Sequence, residues 1–388
     1  MPPPLFRLSL LQFLQYAVPG SLVPLFSLHL RRLGFSDMAV AACCATQAAA
    51  AVVSSLVAGH VADRWLPAEK AVAALAALSG LLLLLIAWLA DPAAVFAATL
   101  LFWLANGPMV LLGTSVCFTH LPVPEKQFGP VRSWGTVGWM AVGLGAGAWL
   151  ATGAPVADAF RLGAVVAFVL AGYALALPAT PPRAAPAGKA SSLAALALLR
   201  DEAFLVYALC LLGASLTFPF STQNAAPLLE RLGVPLAWIA PTLTLAQVTE
   251  VAALFLLPRI LLRLGLKRTM AVGLAAWTLA MLAPALGLPA WAVIASLPLH
   301  GLFIAGFLVA GQVYVNGLAT GGLRASVQGL FSCVNGLGLL MGNLLTGAVR
   351  HATGNDLPAT FAVAATLALV MLAAFAARFR MEPGSPSP

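Results

Sequence analysis

Apolar segments of about twenty residues or more follow one another along nearly the whole chain. A mostly apolar segment of about 20 residues is long enough to cross the hydrocarbon core of a bilayer as an α-helix. Prolines, glycines and charged residues separate these segments from one another. The twelve predicted spans are 8–29, 37–61, 70–90, 93–117, 131–152, 159–179, 201–224, 235–258, 267–286, 290–315, 325–349 and 357–379. The sequence therefore predicts an all-α membrane protein with twelve transmembrane helices.

The composition excludes an ordinary soluble domain. Hydrophobic residues make up 61% of the 388 residues and charged residues only 8%, whereas soluble domains are about 45–50% apolar and about 25% charged. The five cysteines lie inside apolar segments and form no metal-ligand spacing. The sequence shows no nucleophile triad and no phosphate-binding loop, so we expect neither an enzyme nor a bound cofactor or metal.

The basic residues are divided unevenly between the two sides of the membrane. If both termini are cytoplasmic, fifteen of the 20 Lys and Arg residues fall in inside segments and five fall outside, in agreement with the positive-inside rule. The outside residues are Arg31, Arg32, Arg161, Arg231 and Arg350. The Arg31–Arg32 pair is the one local exception. This distribution predicts an inner-membrane protein with cytoplasmic termini, and it accounts for the net charge of +8 without a nucleic-acid partner.

A polar segment in the middle of the chain divides it into two halves. Residues 178–192, "PATPPRAAPAGKASS", are rich in Pro, Ala and Ser and carry two positive charges, which is typical of a linker. The motifs "VRSWGTVG" and "LRASVQG" open the fifth and eleventh spans and indicate internal symmetry of the kind found in duplicated transporters. The predicted organisation is an N-terminal six-helix bundle over 1–179, a cytoplasmic linker over 180–199, a C-terminal six-helix bundle over 200–381 and a disordered tail over 382–388.

One carboxylate, Glu250, is predicted to lie well inside a span. The other eleven acidic residues fall in loops or at span ends. A charged side chain at the bilayer centre costs roughly 2.5–3.5 kcal/mol on insertion scales, so such residues usually face a cavity or a partner. Gln247 lies three residues earlier on the same helix face, and the pair can recognise a hydroxyl-rich or heterocyclic solute. The alternative is a glutamate bonded to a neighbouring helix for packing alone.

Two further spans carry candidate site residues. Arg132, Thr136 and Trp139 share one stripe of the fifth span at positions i, i+4 and i+7, where the arginine supplies a cation and the tryptophan a stacking face. The alternative is that Arg132 only reaches back to the cytoplasmic boundary. In the tenth span His300 and Phe303 share a face. The histidine either relays a proton, contacts substrate or bonds a backbone carbonyl.

Four motifs of the chain resemble a known family. The loop "GHVADRW" after the second span is similar to a loop of the major facilitator superfamily. Within that superfamily, "VRSWGTVGW", "AQVTE" and "RASVQGLF" resemble motifs of the nucleoside–proton symporters. The resemblance covers nearly the whole chain. It implies two pseudo-symmetric six-helix bundles around a central cavity, alternating access, a nucleoside and protons as the transported partners, and a monomer in the bilayer.

The resemblance also implies roles for individual residues. Substrate contacts are implied for Arg132 and Thr136, and an aromatic residue is expected where Trp139 stands. We expect Gln247, Glu250 and His300 to face the same substrate from the other bundle, with Phe303 nearby. The candidate gating residues on the cytoplasmic side are Asp63, Arg64, Arg324 and Gln328.

The chain departs from the family pattern at two places. A carboxylate expected in the tenth span is missing, since Ala305 occupies the matching position. In the seventh span Thr217 and Phe220 stand where Gln and Asn are expected. Glu250 must then carry any proton coupling, together with His300.

The predicted function is therefore secondary active transport of nucleosides, coupled to protons through Glu250. One alternative is a facilitator or symporter for another small polar solute, such as a sugar or a drug-like amphiphile. The other is a non-transporting membrane sensor built on a transporter fold, which would bind its ligand without flux.

Overall fold

The structure is a computed structural model that describes residues 3–61, 67–181, 197–318 and 324–380. Its helices are α1 (Pro3–Arg32), α2 (Asp37–Val61), α3 (Ala68–Trp88), α4 (Pro92–His120), α5 (Pro124–Leu150), α6 (Ala157–Ala174), α7 (Glu202–Arg231), α8 (Leu236–Ala285), α9 (Ala290–Leu318), α10 (Arg324–Ala352) and α11 (Leu357–Arg378). A short 3₁₀ turn, Ala197–Arg200, precedes α7. Each of the twelve predicted spans falls on one of these helices.

Two of the predicted spans share α8. This helix has 50 residues, about 75 Å at 1.5 Å per residue, whereas the hydrocarbon core is about 30 Å thick. Its direction changes at Gly265, whose φ of 72° and ψ of 167° are not helical. Glycine tolerates this conformation because it has no Cβ. Residues 236–264 and 266–285 therefore form separate spans, and Gly265 makes the turn between them.

Length and hydropathy support a multi-pass membrane protein. Nine helices of the described residues are long and apolar enough to cross a bilayer, and α8 counts as one of the nine. Helix ends carry the expected polar signals: the carboxylate of Asp91 accepts from the N–H of Ala94 at 2.8 Å, and that of Asp201 accepts from Phe204 at 2.7 Å. These N-caps satisfy donors that the first helical turn leaves free. The all-α membrane fold predicted from the sequence is confirmed.

The chain divides into two compact units. The first comprises Met1–Pro186 together with Val234–Thr244, and the second comprises Ala187–Gly233 together with Leu245–Pro388. In the first unit α1 lies against α5 and α6, while α3 lies against α4 and α6. In the second unit α7 lies between α10 and α11. The first turns of α8 thus cluster with the first unit. The domain boundaries predicted from the sequence stay predictions.

An ion pair involves Arg31, one of the two arginines that form the exception in the predicted charge distribution. The guanidinium of Arg31 donates to the carboxylate of Asp37 at 2.6 Å, and both side chains are largely buried. Arg31 lies in the last turn of α1 and Asp37 begins α2, so each charge complements the dipole of its own helix. Arg31 therefore joins two helices.

The segment after α6 is anchored to the first unit before the linker begins. The N–H of Thr180 donates to the buried carboxylate of Glu69 at 2.8 Å, and the carbonyl oxygen of Thr180 accepts from the N–H of Ala68 at 3.0 Å. A third hydrogen bond, of 2.9 Å, joins the Thr180 hydroxyl to Nε2 of His120. Residue 180, predicted to begin the linker, is thus fixed to α3 and α4.

Candidate functional site

The first unit presents the α5 stripe against α1. The guanidinium carbon of Arg132 lies 3.8 Å from the centroid of the Tyr16 ring, which is a cation–π geometry. Arg132, Thr136 and Trp139 are all half-buried. The arginine is therefore held over an aromatic face of α1, and all three side chains of the stripe keep some exposed surface.

Two glycines of α5 bring α1 close enough for this contact. A Cβ added at Gly138 would overlap the carbonyl oxygen of Phe13. A Cβ at Gly135 would lie 2.7 Å from the Tyr16 ring and 2.9 Å from Nη1 of Arg132. Both distances are too short for a real side chain. The glycines therefore fix the separation of the two helices and place Tyr16 beneath the arginine.

The glutamines of α1 lie inside the first unit. Gln12 and Gln15 have no exposed surface. The amide of Gln15 donates to Oε1 of Gln12 at 3.1 Å, and the amide of Gln12 donates to the Cys117 sulfur at 3.2 Å. They form a polar contact between α1 and α4. Tyr16, one residue after Gln15, instead contacts Arg132 of the α5 stripe.

In the second unit Gln247 and Glu250 lie on α8 where α9 crosses it. A Cβ at Gly301 would overlap the backbone nitrogen of Glu250 and would lie 2.5 Å from the carbonyl oxygen of Ala246. Both polar side chains are half-buried. Oε1 of Gln247 is buried and has no hydrogen-bond partner among the described residues. An unsatisfied buried acceptor costs about 1–3 kcal/mol, so this oxygen marks a place where a donor from a ligand would be stabilising.

His300 lies one residue before this crossing and contacts other helices. A hydrogen bond of 2.7 Å joins its Nε2 to the Ser221 hydroxyl of α7. The Trp277 ring of α8 stands edge-on to the imidazole, with ring centroids 5.1 Å apart. The indole N–H of Trp277 donates to the Thr217 hydroxyl at 2.8 Å. We call these four residues, Thr217, Ser221, Trp277 and His300, the hydroxyl–aromatic cluster.

Three predicted substrate contacts are packed inside the second unit. Thr217, Phe220 and Phe303 have no exposed surface. The Phe303 ring stacks on Trp277 with centroids 4.5 Å apart, and Thr217 accepts the indole hydrogen bond of the same tryptophan. The structure thus groups Thr217 and Phe303 with His300 around Trp277. Their role in substrate binding stays a prediction.

Ala305 lies in an irregular part of α9. Residues Ile304–Val309 form a π-helical segment, and Ala305 is 1% exposed. The position at which the sequence pattern leads us to expect a carboxylate is therefore filled by a methyl group in the interior of the second unit. Insertions of this kind are frequent at functional sites, but here the segment presents only apolar side chains and a glycine.

The gating residues are only partly described. Arg324 begins α10 and Gln328 follows one turn later. Asp63 and Arg64 lie outside the described residues. The predicted gating roles of all four stay predictions.

Sequence reasoning did not single out two members of the cluster, Ser221 and Trp277. Ser221 follows Thr217 by four residues, so the two hydroxyls share one face of α7, which is a signal that periodicity alone would have shown. Trp277 lies in an apolar span, and its polar neighbour Thr278 bonds the carbonyl oxygen of Leu274 in the same helix. Its partners become apparent only from the packing of α8 on α7 and α9.

The chain is similar to known transporters over nearly its whole length. A sequence profile of the family described as "Nucleoside H+ symporter" matches residues 4–383. The chain is 29% identical to the putative nucleoside transporter YegT of Escherichia coli (strain K12), over 89% of this chain and 84% of the relative. It is 29% identical to the xanthosine permease of the same organism, over 88% and 86%.

Solved structures agree on the fold. The crystal structure of the nucleoside transporter NupG superposes with a TM-score of 0.86 at 23% identity, covering 98% of this chain and 100% of that one. A D-xylose–proton symporter superposes with a TM-score of 0.74 at 12% identity, covering 97% and 98%. The fold is that of the major facilitator superfamily, and the chain belongs to the nucleoside H+ symporter family.

Proposed function

We propose that this protein transports nucleosides across the inner membrane together with protons, by alternating access and with both termini in the cytoplasm. The observation that carries the proposal is the half-buried pair on α8, in which Gln247 keeps an unpartnered acceptor one turn before Glu250. The unpartnered acceptor of Gln247 is costly in a membrane-spanning helix unless a polar ligand donates to it. The family and the permease relatives indicate that this ligand is a nucleoside.

The candidate side chains offer different kinds of contact. Gln247 and Glu250 suit the ribose hydroxyls, because hydroxyls both donate and accept hydrogen bonds. Trp139 offers a flat face for the base. Arg132 offers directed donors that the Tyr16 ring holds in place.

Proton coupling rests on Glu250. An ionised carboxylate only accepts hydrogen bonds, whereas the protonated acid also donates one. A single proton therefore changes what Glu250 can bind and removes the charge that is costly in a span. Ala305 supplies no second carboxylate in α9. Glu250 must therefore both exchange the proton and bind the substrate.

Uptake into proteoliposomes with an imposed pH gradient tests the proposal. Wild-type protein is expected to accumulate labelled nucleoside when the outside is acidic. Glu250→Gln is expected to exchange nucleoside across the membrane but not to accumulate it. The matched control is Glu202→Gln, since Glu202 is 72% exposed at the start of α7. Full accumulation by Glu250→Gln would rule out the coupling role.

Ala305 favours a second candidate function, facilitated diffusion. A chain without a carboxylate at this position has one fewer group to carry a proton through the cycle. A facilitator would equilibrate nucleoside without concentrating it and would ignore the pH gradient. Competition by unlabelled nucleosides against sugars in the same assay separates both candidates from a transporter of another polar solute.

A further inference from the structure

A small cavity lies inside the second unit beside His300. Its volume is about 20 Å³, and about 10–15 Å³ is enough to admit one water molecule. It lies between α7, residues 266–285 of α8, α9 and α11. Its polar lining consists of Ser221, Ser296 and His300, and the rest is apolar. Gln247 and Glu250 are not part of this lining, so the cavity is distinct from the polar pair on α8.

One ring nitrogen of His300 has no side-chain partner, although the backbone groups of Ser296 and Leu297 lie beside the ring. Nε2 is bonded to Ser221 at 2.7 Å, whereas Nδ1 is buried and makes no hydrogen bond within the described parts of the chain. A buried polar atom normally has a partner, either protein or ordered water. A cavity of single-water size next to the ring provides room for that partner.

The cavity extends from His300 toward one end of the unit. Leu228 and Leu229 line it from the last turn of α7, Pro284 from the end of α8, and Val293 from the start of α9. The proposed orientation places all of these helix ends on the outer side of the membrane. In that orientation the cavity therefore lies between the imidazole and the outer ends of these helices.

We propose that His300 binds a proton that arrives from the outer side through this cavity, with Ser221 as the residue that positions the ring. A hydrated proton transfers H⁺ to the lone pair of Nδ1 and leaves a neutral water behind, and the ring becomes an imidazolium. Its Nε2–H then donates to the Ser221 hydroxyl, which stabilises the added charge. This inference rests on the proposed proton-coupled transport, and it gives that transport a loading site separate from Glu250.

The groups around the imidazole are suited to this role. α7 presents the Ser221 and Thr217 hydroxyls, α8 presents the Trp277 ring and α11 presents Phe361. None of these four titrates near neutral pH. Among the titratable groups on helices packed against α9, α8 presents Glu250 at the Gly301 crossing, and α7 presents Tyr207 farther along, beside Phe307. Protonation of His300 and that of Glu250 are therefore separable by mutation.

Filling the cavity tests the route. Ala225 lines the cavity, and Ala225→Val is expected to slow uptake driven by an outside-acid gradient by about tenfold, which corresponds to a barrier higher by about 1.4 kcal/mol. Nucleoside counterflow, which moves no net protons, is expected to stay at the wild-type rate. The matched control is Ala362→Val, because Ala362 follows the cavity-lining Phe361 but is exposed. Equal gradient-driven rates for both variants would overturn the route.

The Ser221 hydroxyl provides an independent test. Ser221→Ala removes the acceptor that stabilises the imidazolium, so the pH profile of gradient-driven uptake is expected to shift to lower pH, by up to about one unit for the loss of one hydrogen bond. Ser221→Thr keeps the hydroxyl and is expected to restore the wild-type profile. An unchanged profile in Ser221→Ala would overturn the positioning role. This variant also carries the test if Ala225→Val fails to fold.

The outcomes separate this inference from the proposed function. If wild-type protein exchanges nucleoside but never accumulates it in a pH gradient, the proposed proton coupling is wrong. The proposed proton-binding site at His300 is then wrong as well. If the wild type accumulates nucleoside and Glu250→Gln does not, while the Ala225 and Ser221 variants both match the wild type, the proposed function stands and the outer route through His300 is wrong.

Discussion

The α5 stripe of the first unit and the hydroxyl–aromatic cluster of the second unit are both built from polar and aromatic side chains, but they differ in burial. Arg132, Thr136 and Trp139 share one helix face and each keeps part of its surface exposed. In the cluster, Thr217 and Trp277 are completely buried and hydrogen-bonded to each other. Stripe residues thus remain available to a solute, whereas the cluster forms part of the interior packing.

This difference predicts different consequences of mutation. Changes in the stripe are expected to alter ligand affinity and to leave the stability of the fold nearly unchanged. Changes in the cluster are expected to alter stability first, and function through the position of His300. Measuring unfolding and nucleoside binding on the same variants therefore separates the two regions.

The largest effect is expected at Trp277, the centre of the cluster. Trp277→Ala removes a ring that contacts Phe218, Phe303 and His300, and large-to-small changes of this kind lower the free energy of unfolding by roughly 3–5 kcal/mol. Unfolding in detergent, followed by heat or denaturant, measures the change. The control is Trp291→Ala, because Trp291 is 74% exposed and its loss leaves no interior cavity. Equal stability of the two variants would contradict the packing role.

The helix crossing at Gly301 is expected to show the next largest effect. Gly301→Ala places a Cβ against the backbone of Ala246 and Glu250, so α9 must move away from α8, at a cost of about 1–3 kcal/mol. Transport is expected to fall as well, because Glu250 lies at the contact. Gly172→Ala is the matched control, since a Cβ at that α6 position meets no atom within 4 Å. Wild-type transport by Gly301→Ala would show that the close crossing is dispensable.

In the stripe, Arg132→Lys keeps the charge and removes the planar group above Tyr16. The cation–π contact and the paired donors weaken, so nucleoside affinity is expected to drop by about tenfold, or about 1.4 kcal/mol, without a change in unfolding temperature. Isothermal titration in detergent measures the affinity. Arg378→Lys, at a residue 74% exposed on α11, is expected to bind as the wild type does. A loss of stability in Arg132→Lys would mean that the arginine serves packing instead.

The fold was predictable because the hydrocarbon core of a bilayer permits few kinds of backbone structure. Spanning segments must satisfy their backbone hydrogen bonds internally, so apolar length alone identified the helices. The boundary at 258 was placed too early, since α8 continues through Pro258 to Gly265. The α5 stripe was predictable as well, because its three residues follow helical periodicity.

The cluster could not be predicted in the same way. Its central hydrogen bond joins Ser221 to His300, 79 residues apart in sequence, and no periodic pattern relates residues on different helices. Burial of Thr217 and Phe303 around Trp277 was also not predictable, and their predicted contact with substrate stays a prediction. A polar residue in an apolar span therefore indicates that it has a partner, but the sequence does not say whether that partner is the protein or the solute.

Thr217 provides the smallest and most direct test of that distinction. Thr217→Val is nearly isosteric but leaves the Trp277 N–H without its acceptor, so the free energy of unfolding is expected to fall by about 1–3 kcal/mol, at the lower end if the indole finds another partner. Nucleoside affinity is expected to stay unchanged, because the hydroxyl is occupied inside the unit. Thr222→Val, at an exposed position on the same helix, controls for the valine itself. Weaker nucleoside binding with unchanged stability would assign Thr217 to the substrate site and make the packing interpretation wrong.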